Sequence, residues 1–540
     1  MSNANTTQAP NASGAELSRN VTSGFLVSLI ALPLCLGIAL ASGFPPIAGV
    51  LTAIVGGLIG RFIGSAPLTI KGPAAGLIVI ALGAVTDLGA GDMAVGYRRA
   101  LAVGVVAAAI QIGFALGKVT KYMAAAPPSV VHGMLAAIGV IIFAKQAHVL
   151  MGVTPHGKKP LALLAEIPWS VLRDNPEILA IGVAGLVILF AWPALGKRAP
   201  ALGKVPAPLV VLATAIPLGK AFGMTTPHDF DAFGRHYHLG PEFLLTLPSN
   251  LAKAIVTPDF SIVFSGTSLK YIVMFALVGS LESSLSVLAV DALSTKKEAS
   301  NLDRDLLATG VANLLSAGIG GLPMISEIVR SKANIDNGAS NAWSNFFHSA
   351  FLLFFVAAIP GLLHLVPLAA LAAMLVFTGL RLASPKEILH AKKVGLDQLL
   401  YFGVTLVLTL AEDLLVGIAA GIVVKVALHA VRAGTLAALF RTGYTTVREA
   451  NEATIRVTGP ATFLALIKAQ AALAIGKDPT LRRVVLDLSK APLVDHTFLD
   501  RVHAAAREWP NAELVVTGHE RLAAVSDHPH STRRAITARA

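Results

Sequence analysis

Four groups of residues in this chain carry chemistry that the apolar sequence around them does not. The runs Lys71-Gly72-Pro73-Ala74-Ala75-Gly76 and Gly320-Gly321-Leu322-Pro323 each interrupt an apolar stretch. Proline pushes the residue before it out of the helical region, so each run reads as extended chain that opens into a short helix. The first turn of a helix has free backbone N–H groups and about half a positive charge, which together bind anions. Glu282 stands among Gly279, Ser283 and Ser286, a small and polar stripe at helical spacing, and Arg330 follows Glu327 by three residues. An ionisable group inside a membrane span is a functional site by default. Arginine at the bilayer centre costs at least roughly 2.5–3.5 kcal/mol and therefore needs a partner or a wet cavity. Plainer roles exist for each group. The Gly-Pro pairs could only kink helices, Arg330 could pair with Glu327 on the same helical face, and Glu282 could satisfy backbone donors or pair with Arg330. Lys71, just before the first half-helix, could add positive charge there or run its stem along apolar surface and reach water, the second being the preferred reading.

Those positions belong to a chain of 540 residues that is 54% apolar and 14% charged, with a mean hydropathy of +0.70. Soluble domains carry about 25% charged residues, so most of this chain is expected in lipid. A bilayer core takes about 20 apolar residues per helix. Apolar stretches recur near 21–41, 46–63, 73–86, 99–117, 131–150, 177–194, 205–222, 269–291, 305–319, 324–334, 344–363, 366–380, 398–411 and 413–431. Two of the fourteen, the third and the tenth, are too short to cross, and they are the two that begin at the Gly/Pro runs. Pro73 and Pro323 lie 250 residues apart, close to the interval between the first segments of the two halves, Val21 and Leu269. Two halves of seven segments follow. Because seven is odd, the second half enters from the opposite side, giving a 7+7 inverted repeat with two half-helices. Paired, Gly/Pro-interrupted short segments in such halves point to a transporter's central site, and unwound backbone at membrane depth is tolerated only around a cavity or within protein.

The net charge of +12 fits cytoplasmic loops and an anionic lipid surface rather than nucleic acid. With a cytoplasmic N-terminus, the even-numbered connections carry Arg61; Lys118 and Lys121; Lys197, Arg198 and Lys204; Lys296, Lys297 and Arg304; and Arg381, Lys386, Lys392 and Lys393. The short odd connections are almost free of Lys and Arg, and the last holds Glu412-Asp413. The positive-inside rule then sets both termini in the cytoplasm, with the cell membrane as location. Residues 1–18 are polar and expected disordered, and 19–432 form the transporter domain. A basic linker over 433–451, continuing from Arg432 and containing Arg441 and Arg448, suits the membrane surface. From 452 to 528 strand-like and helical runs alternate (Thr454–Val457, Phe463–Ile475, Arg483–Leu488, Thr497–Trp509, Glu513–Gly518), a cytoplasmic α/β domain before a tail at 529–540. The single cysteine, Cys35, excludes an intrachain disulfide.

Residues 43–76 (GFPPIAGVLTAIVGGLIGRFIGSAPLTIKGPAAG), 277–295 (LVGSLESSLSVLAVDALST), 309–337 (TGVANLLSAGIGGLPMISEIVRSKANIDN) and 376–390 (VFTGLRLASPKEILH) resemble the SulP family of anion transporters. Val485-Leu486-Asp487-Leu488-Ser489 followed by Val494-Asp495-His496 resembles the STAS domain that SulP proteins carry. The resemblance implies a core domain (segments 1–4 and 8–11) that moves in elevator fashion against a gate domain (segments 5–7 and 12–14), usually in a dimer. It puts substrate between the starts of segments 3 and 10, here the backbone of Gly72, Pro73, Ala74 and Ala75 facing Ser326, Glu327, Ile328, Val329 and Arg330, with Arg330 the cation beside the anion. It links a carboxylate at Glu282, with Ser286 and Ser326 as hydroxyl candidates, to a coupling cation, Na+ or H+. Glu327, Leu34 after Pro33, and Lys71 depart from the family's usual residues, so no relative's selectivity transfers directly. STAS domains that are phospho-switched have a Ser or Thr after the Asp, and here only Thr497 is near, so docking of a partner or a second copy is expected instead.

The expected function is therefore secondary active transport of sulfate or bicarbonate, with no cofactor beyond Na+ or H+. Uncoupled exchange or conduction, and permeases for dicarboxylates or nucleobases, are the alternatives. No phosphate-binding loop, dinucleotide fingerprint or nucleophile elbow supports an enzyme. His228, His236 and His238 fall in a long exterior loop and are expected solvated rather than metal-bound.

Overall fold

The computed structural model describes residues 14–535 apart from 158, 204, 249–250 and 295–298. Residues 1–13 of the polar tail, Lys204, Lys296 and Lys297, and 536–540 lie outside the described residues.

Each of the fourteen apolar segments coincides with a helix: α1 (Gly14–Ala41), α2 (Pro46–Phe62), α3 (Ile78–Gly89), α4 (Met93–Leu116), α5 (Pro128–Leu150), α6 (Pro176–Arg198), α7 (Ala207–Ala221), α8 (Gly266–Leu293), α9 (Leu302–Gly318), α10 (Ile328–Asp336), α11 (Trp343–Ala358), α12 (Leu368–Leu382), α13 (Leu396–Ala411) and α14 (Leu414–Ala433). By length and composition, α1, α4, α5, α6, α8, α14 and the stretch Leu368–Val394 are long and apolar enough to cross a membrane. The first helix starts earlier than the apolar pattern, at Gly14. Its polar start is held because Asn20 Nδ2 donates to Glu16 O, Ser340 Oγ and Asn341 Oδ1 at 2.9–3.1 Å. Residues 14–18 thus belong to α1 and not to a disordered tail.

Two packing groups are visible. Helices α1, α2, α4, α8, α9 and α11 pack on one another, with α3 and α10 attached, and α5, α6, α7, α12, α13 and α14 form the other group. Helix α1 joins the groups through α12 and α7. Small residues allow the tightest approaches. A Cβ on Gly49 of α2 would sit 2.0 Å from the Cys35 carbonyl oxygen of α1, so those two backbones touch where no side chain fits.

Between α2 and α3, and again between α9 and α10, the chain is extended: β1 (Ile70–Pro73) and β4 (Met324–Glu327) pair antiparallel with Lys71 opposite Ser326 and Gly72 opposite Ile325. Outside the membrane-spanning part, β2 (His228–Ala232) and β3 (Arg235–Leu239) make a hairpin in the long loop. The C-terminal domain is a sheet in the order β5 (Gly443–Glu449), β6 (Glu452–Thr458), β7 (Arg483–Lys490), β9 (Glu513–Thr517), with β8 (Leu493–Val494) outside it and helices α15 (Leu466–Leu473) and α16 (His496–Ala506). Alternating Ile455, Val457, Leu486 and Leu488 are buried with Phe498 and Val502, which is the pattern of strands covered on one face. The domain is wider than 452–528. Strand β5 lies inside the expected linker, pairing along all of β6, and Arg533–Arg534 in the expected tail pair with β8. Two arginines read as membrane-facing are spent internally, Arg432 on Asp397 at 2.8 Å and Arg448 on Asp478 at 2.7 Å.

Candidate functional site

Proline at 73 and at 323 keeps the residues around it extended, so the two chains can pair only with each other. Their remaining backbone groups need partners because lipid offers none. Side chains from neighbouring helices supply them. Thr52 Oγ1 accepts from Leu322 N at 2.7 Å, Asn313 Oδ1 from Met324 N at 2.7 Å, and Ser331 Oγ from Ile70 N at 2.8 Å, while Asn345 Nδ2 donates to Thr69 O at 3.1 Å. Past the ribbon, a 3₁₀ turn at Ala75–Leu77 leads into α3 and Glu327 leads into α10, and neither start is capped by the side chain of its own N-cap residue.

The expected residues converge here. Arg330 is 1% exposed; its Nη2 reaches back to β1 and donates to Pro73 O at 2.7 Å, and its Nη1 contacts Cys35 Sγ of α1 at 3.4 Å. Glu327 Oε1 is 3.7 Å from Nη2, and its carboxylate also receives the Ala75 amide. A carboxylate of the protein therefore stands at the first half-helix opening. Glu282 lies against the next turn, and its Oε2 is buried without a hydrogen-bond partner. Two glycines make this possible. A Cβ on Gly72 would lie 2.3 Å from Arg330 Nη1, and one on Gly76 2.0 Å from Glu282 Oε1. Ala74 and Ser286 are buried, whereas Ile328 and Val329 are exposed. Ser326 is buried, but its hydroxyl is already engaged with Asp305 and Lys71.

Lys71 does not reach water. It is 1% exposed, with Nζ 2.7 Å from Asp305 Oδ2, because a carboxylate and hydroxyls inside the protein solvate its ammonium at closer range than the surface could. Asp305, Thr309, Asn313 and Thr52 are hydrogen-bonding partners of Lys71 and the ribbon that the segment-level reading missed. The visible signal was an acidic residue within an otherwise apolar ninth segment. His348 on α11 was also passed over, and both of its ring nitrogens are buried without partners.

A second buried charge cluster joins α14 to the C-terminal domain. Lys425 Nζ is 3.1 Å from Asp495 Oδ2 and donates to Thr497 Oγ1 at 2.7 Å, with all three residues 0% exposed. His429 Nε2 lies 3.8 Å from Asp495 Oδ1. Burial raises the Asp495 carboxyl, but Lys425 and His429 outweigh it and hold it at about 2. Thr497 is thus enclosed by its own chain. Elsewhere, His238 and Asp229 of the exposed hairpin pair at 2.7 Å, and no cluster with metal-ligand geometry occurs among the described residues.

The profile of the Sulfate permease family matches residues 17–405, which include both half-helices, Glu282 and Arg330. This chain belongs to the Sulfate permease family. YvdB of Bacillus subtilis (strain 168), provisionally named a sulfate transporter, is 27% identical over 416 residues, covering 75% of this chain and 72% of that protein. The bicarbonate transporter BicA of Picosynechococcus is 25% identical over 412 residues, covering 75% and 69%. Among solved structures, the transmembrane domain of a cyanobacterial BicA superposes with a TM-score of 0.62 at 22% identity, over 75% of this chain and 97% of that one. Murine Slc26a9 in an inward-facing state gives 0.65 at 14% identity, over 93% and 86%, so the likeness extends into the C-terminal domain. At these identities the structures carry the fold. The sulfate permease membership makes this a multi-pass helical membrane transporter and not an enzyme.

Proposed function

We propose that this sulfate permease family member moves a small inorganic anion, sulfate or bicarbonate, by secondary active transport, coupled to Na+ or H+ through Glu282. The observation that carries the reading is the β1–β4 ribbon, which brings two half-helix starts, neither capped by its own N-cap side chain, and the buried Arg330 to one place. An anion there gains the helix N-termini and one guanidinium. It also meets Glu327 and Glu282. A cation on Glu282 removes one of those negative charges, so anion and cation each raise the other's affinity by the same factor.

The two packing groups support a core that carries this ribbon and a gate built from α5–α7 and α12–α14, related as an inverted repeat and moving in elevator fashion. We read the C-terminal domain as a STAS domain in the cytoplasm, both termini as cytoplasmic, the assembly as a homodimer in the cell membrane, and the domain's remaining faces as open to a partner. The test is uptake of labelled sulfate and labelled bicarbonate into proteoliposomes under a Na+ gradient, an H+ gradient or neither, for the wild type and Glu282→Gln. Uptake of one anion driven by one gradient and lost in Glu282→Gln supports the reading. Flux indifferent to both gradients and to the substitution refutes coupling and favours exchange or conductance.

A further inference from the structure

On the face of the ribbon away from Arg330, the structure encloses a positive charge in a shell of oxygen atoms. Lys71 Nζ donates to Asp305 Oδ2 at 2.7 Å, Thr309 Oγ1 at 2.9 Å and Ser326 Oγ at 3.0 Å. An ammonium has three donors, and all three are used. Ser283 Oγ closes the shell, 3.4 Å from both the Thr309 and the Ser326 hydroxyls, and it accepts Ser326 N at 3.2 Å. Asp305 Oδ1 is buried and has no hydrogen-bond partner, so the carboxylate has capacity the lysine does not use. One carboxylate and three hydroxyls, drawn from α8, α9 and β4, are the hard oxygen donors that alkali and other hard cations take. Register explains why Lys71 fills the shell: it lies directly opposite Ser326, so both side chains leave the ribbon on the same face.

We propose that Lys71 is a tethered resident cation in a site of inorganic-cation type. Its ammonium holds β1 to α9 and β4 without any ion from solution, and removing it converts the shell into a site for Na+. This deepens the coupling part of the transport reading, since with the shell filled any ion drawn from solution must act at Glu282 instead. The inference itself needs only a stability measurement, so it can fail while transport stands, and the reverse.

The experiment is thermal unfolding of the full-length protein in detergent, in choline chloride and in graded NaCl, KCl and LiCl, for the wild type, Lys71→Ala and Lys71→Ala/Asp305→Asn. Lys71→Ala is expected to unfold at a lower temperature than wild type in choline, and to recover by a few degrees, saturably, as one alkali cation is added. The wild type should respond less, and the double variant should lose the additional response. Lys71→Ser, which adds a hydroxyl to the shell, is the second probe. A Lys71→Ala protein no more responsive than the wild type, or a response that survives Asp305→Asn, overturns the proposal. Failure to recover either Lys71 variant folded in any alkali salt overturns it too, because an ion that fits the shell would support it.

Discussion

Replacing Asp495 by Asn should detach the C-terminal domain from α14 without unfolding the membrane-spanning part. Asn can keep the cap that Asp495 Oδ1 gives α16 by accepting from Thr497 N at 3.2 Å, while its amide nitrogen takes the place of the Oδ2 that accepts from Phe463 N. It removes the charge that balances Lys425, whose ammonium is otherwise enclosed by Thr497 and by the rings of Phe463 and Tyr401 at 5.1 and 5.5 Å. Leaving one member of a fully buried pair unmatched costs about 3–5 kcal/mol. Even the lower figure shifts a docking equilibrium about a hundredfold. Lys425→Met should cost a similar amount by stranding the carboxylate. The double variant Lys425→Met/Asp495→Asn strands neither charge, so it should sit much nearer the wild type than the two single costs added together. Limited tryptic cleavage at Arg441, between α14 and β5, reads the docking directly. Cleavage should quicken by an order of magnitude or more in each single variant and return towards the wild-type rate in the double. Single variants with wild-type cleavage, or a double variant that is additive, would refute a pair-dependent interlock.

Three further outcomes follow from the same geometry. Gly72→Ala should leave the protein folded but remove most anion uptake, because its Cβ would meet Arg330 Nη1 at 2.3 Å and drive the guanidinium off Pro73 O; uptake assays in proteoliposomes check this. Gly49→Ala sets a Cβ 2.0 Å from the Cys35 carbonyl oxygen, a backbone atom that cannot swing aside, so it should lower thermal stability by about 1–3 kcal/mol, whereas Gly14→Ala meets nothing within 4 Å and should not. The third concerns His528 and His530 at the edge of the C-terminal domain, where burial, and then the neighbouring histidines, hold both below the ordinary 6.5. Their depressed values mean that the unfolded chain binds more protons, so stability is retained above pH 6.5 and falls as pH drops below it. The protection of amides over residues 519–535, taken relative to the intrinsic exchange rate at each pH, should therefore fall between pH 7.5 and 5.5, and His528→Gln/His530→Gln should flatten that change.

Hydropathy and Gly/Pro punctuation made the fourteen helices legible, because each apolar run needs only its own residues to declare itself. The ribbon was legible as two breaks but not as a pair, since the hydrogen-bonded partners lie more than 250 residues apart in sequence. Lys71 was misread for the same reason. Its partner Asp305 is 234 residues away, and a lone lysine near a segment start looks like one that reaches water. The available clue was that Lys71 and Asp305, of opposite charge, stand at the starts of two otherwise apolar segments, the third and the ninth. Lys425 is the parallel case, a cation within the last apolar segment whose counter-charge, Asp495, stood out in the sequence only as part of the STAS-like run. The C-terminal boundaries were set too narrowly because β5 carries exposed polar residues along an edge, and an edge strand with little to bury resembles a linker.

The ribbon also explains why charges of both signs gather at one depth. Residues alternate faces along a strand, so Lys71 and Ser326 turn to the oxygen shell while the Cα face of Gly72 meets Arg330. One turn further on, Gly76 receives Glu282. A one-residue slip of β1 against β4 would exchange these faces, carrying the ammonium towards the guanidinium and away from Asp305. The ion pair of Lys71 with Asp305 therefore does more than neutralise a charge: it fixes the register on which the approach of Arg330 to the half-helix opening depends. On the proposed reading, the anion subsite and the oxygen shell share one ribbon and so move as one unit. A substitution at Asp305 or Thr309 should accordingly change anion affinity even though neither is among the residues expected to face the anion.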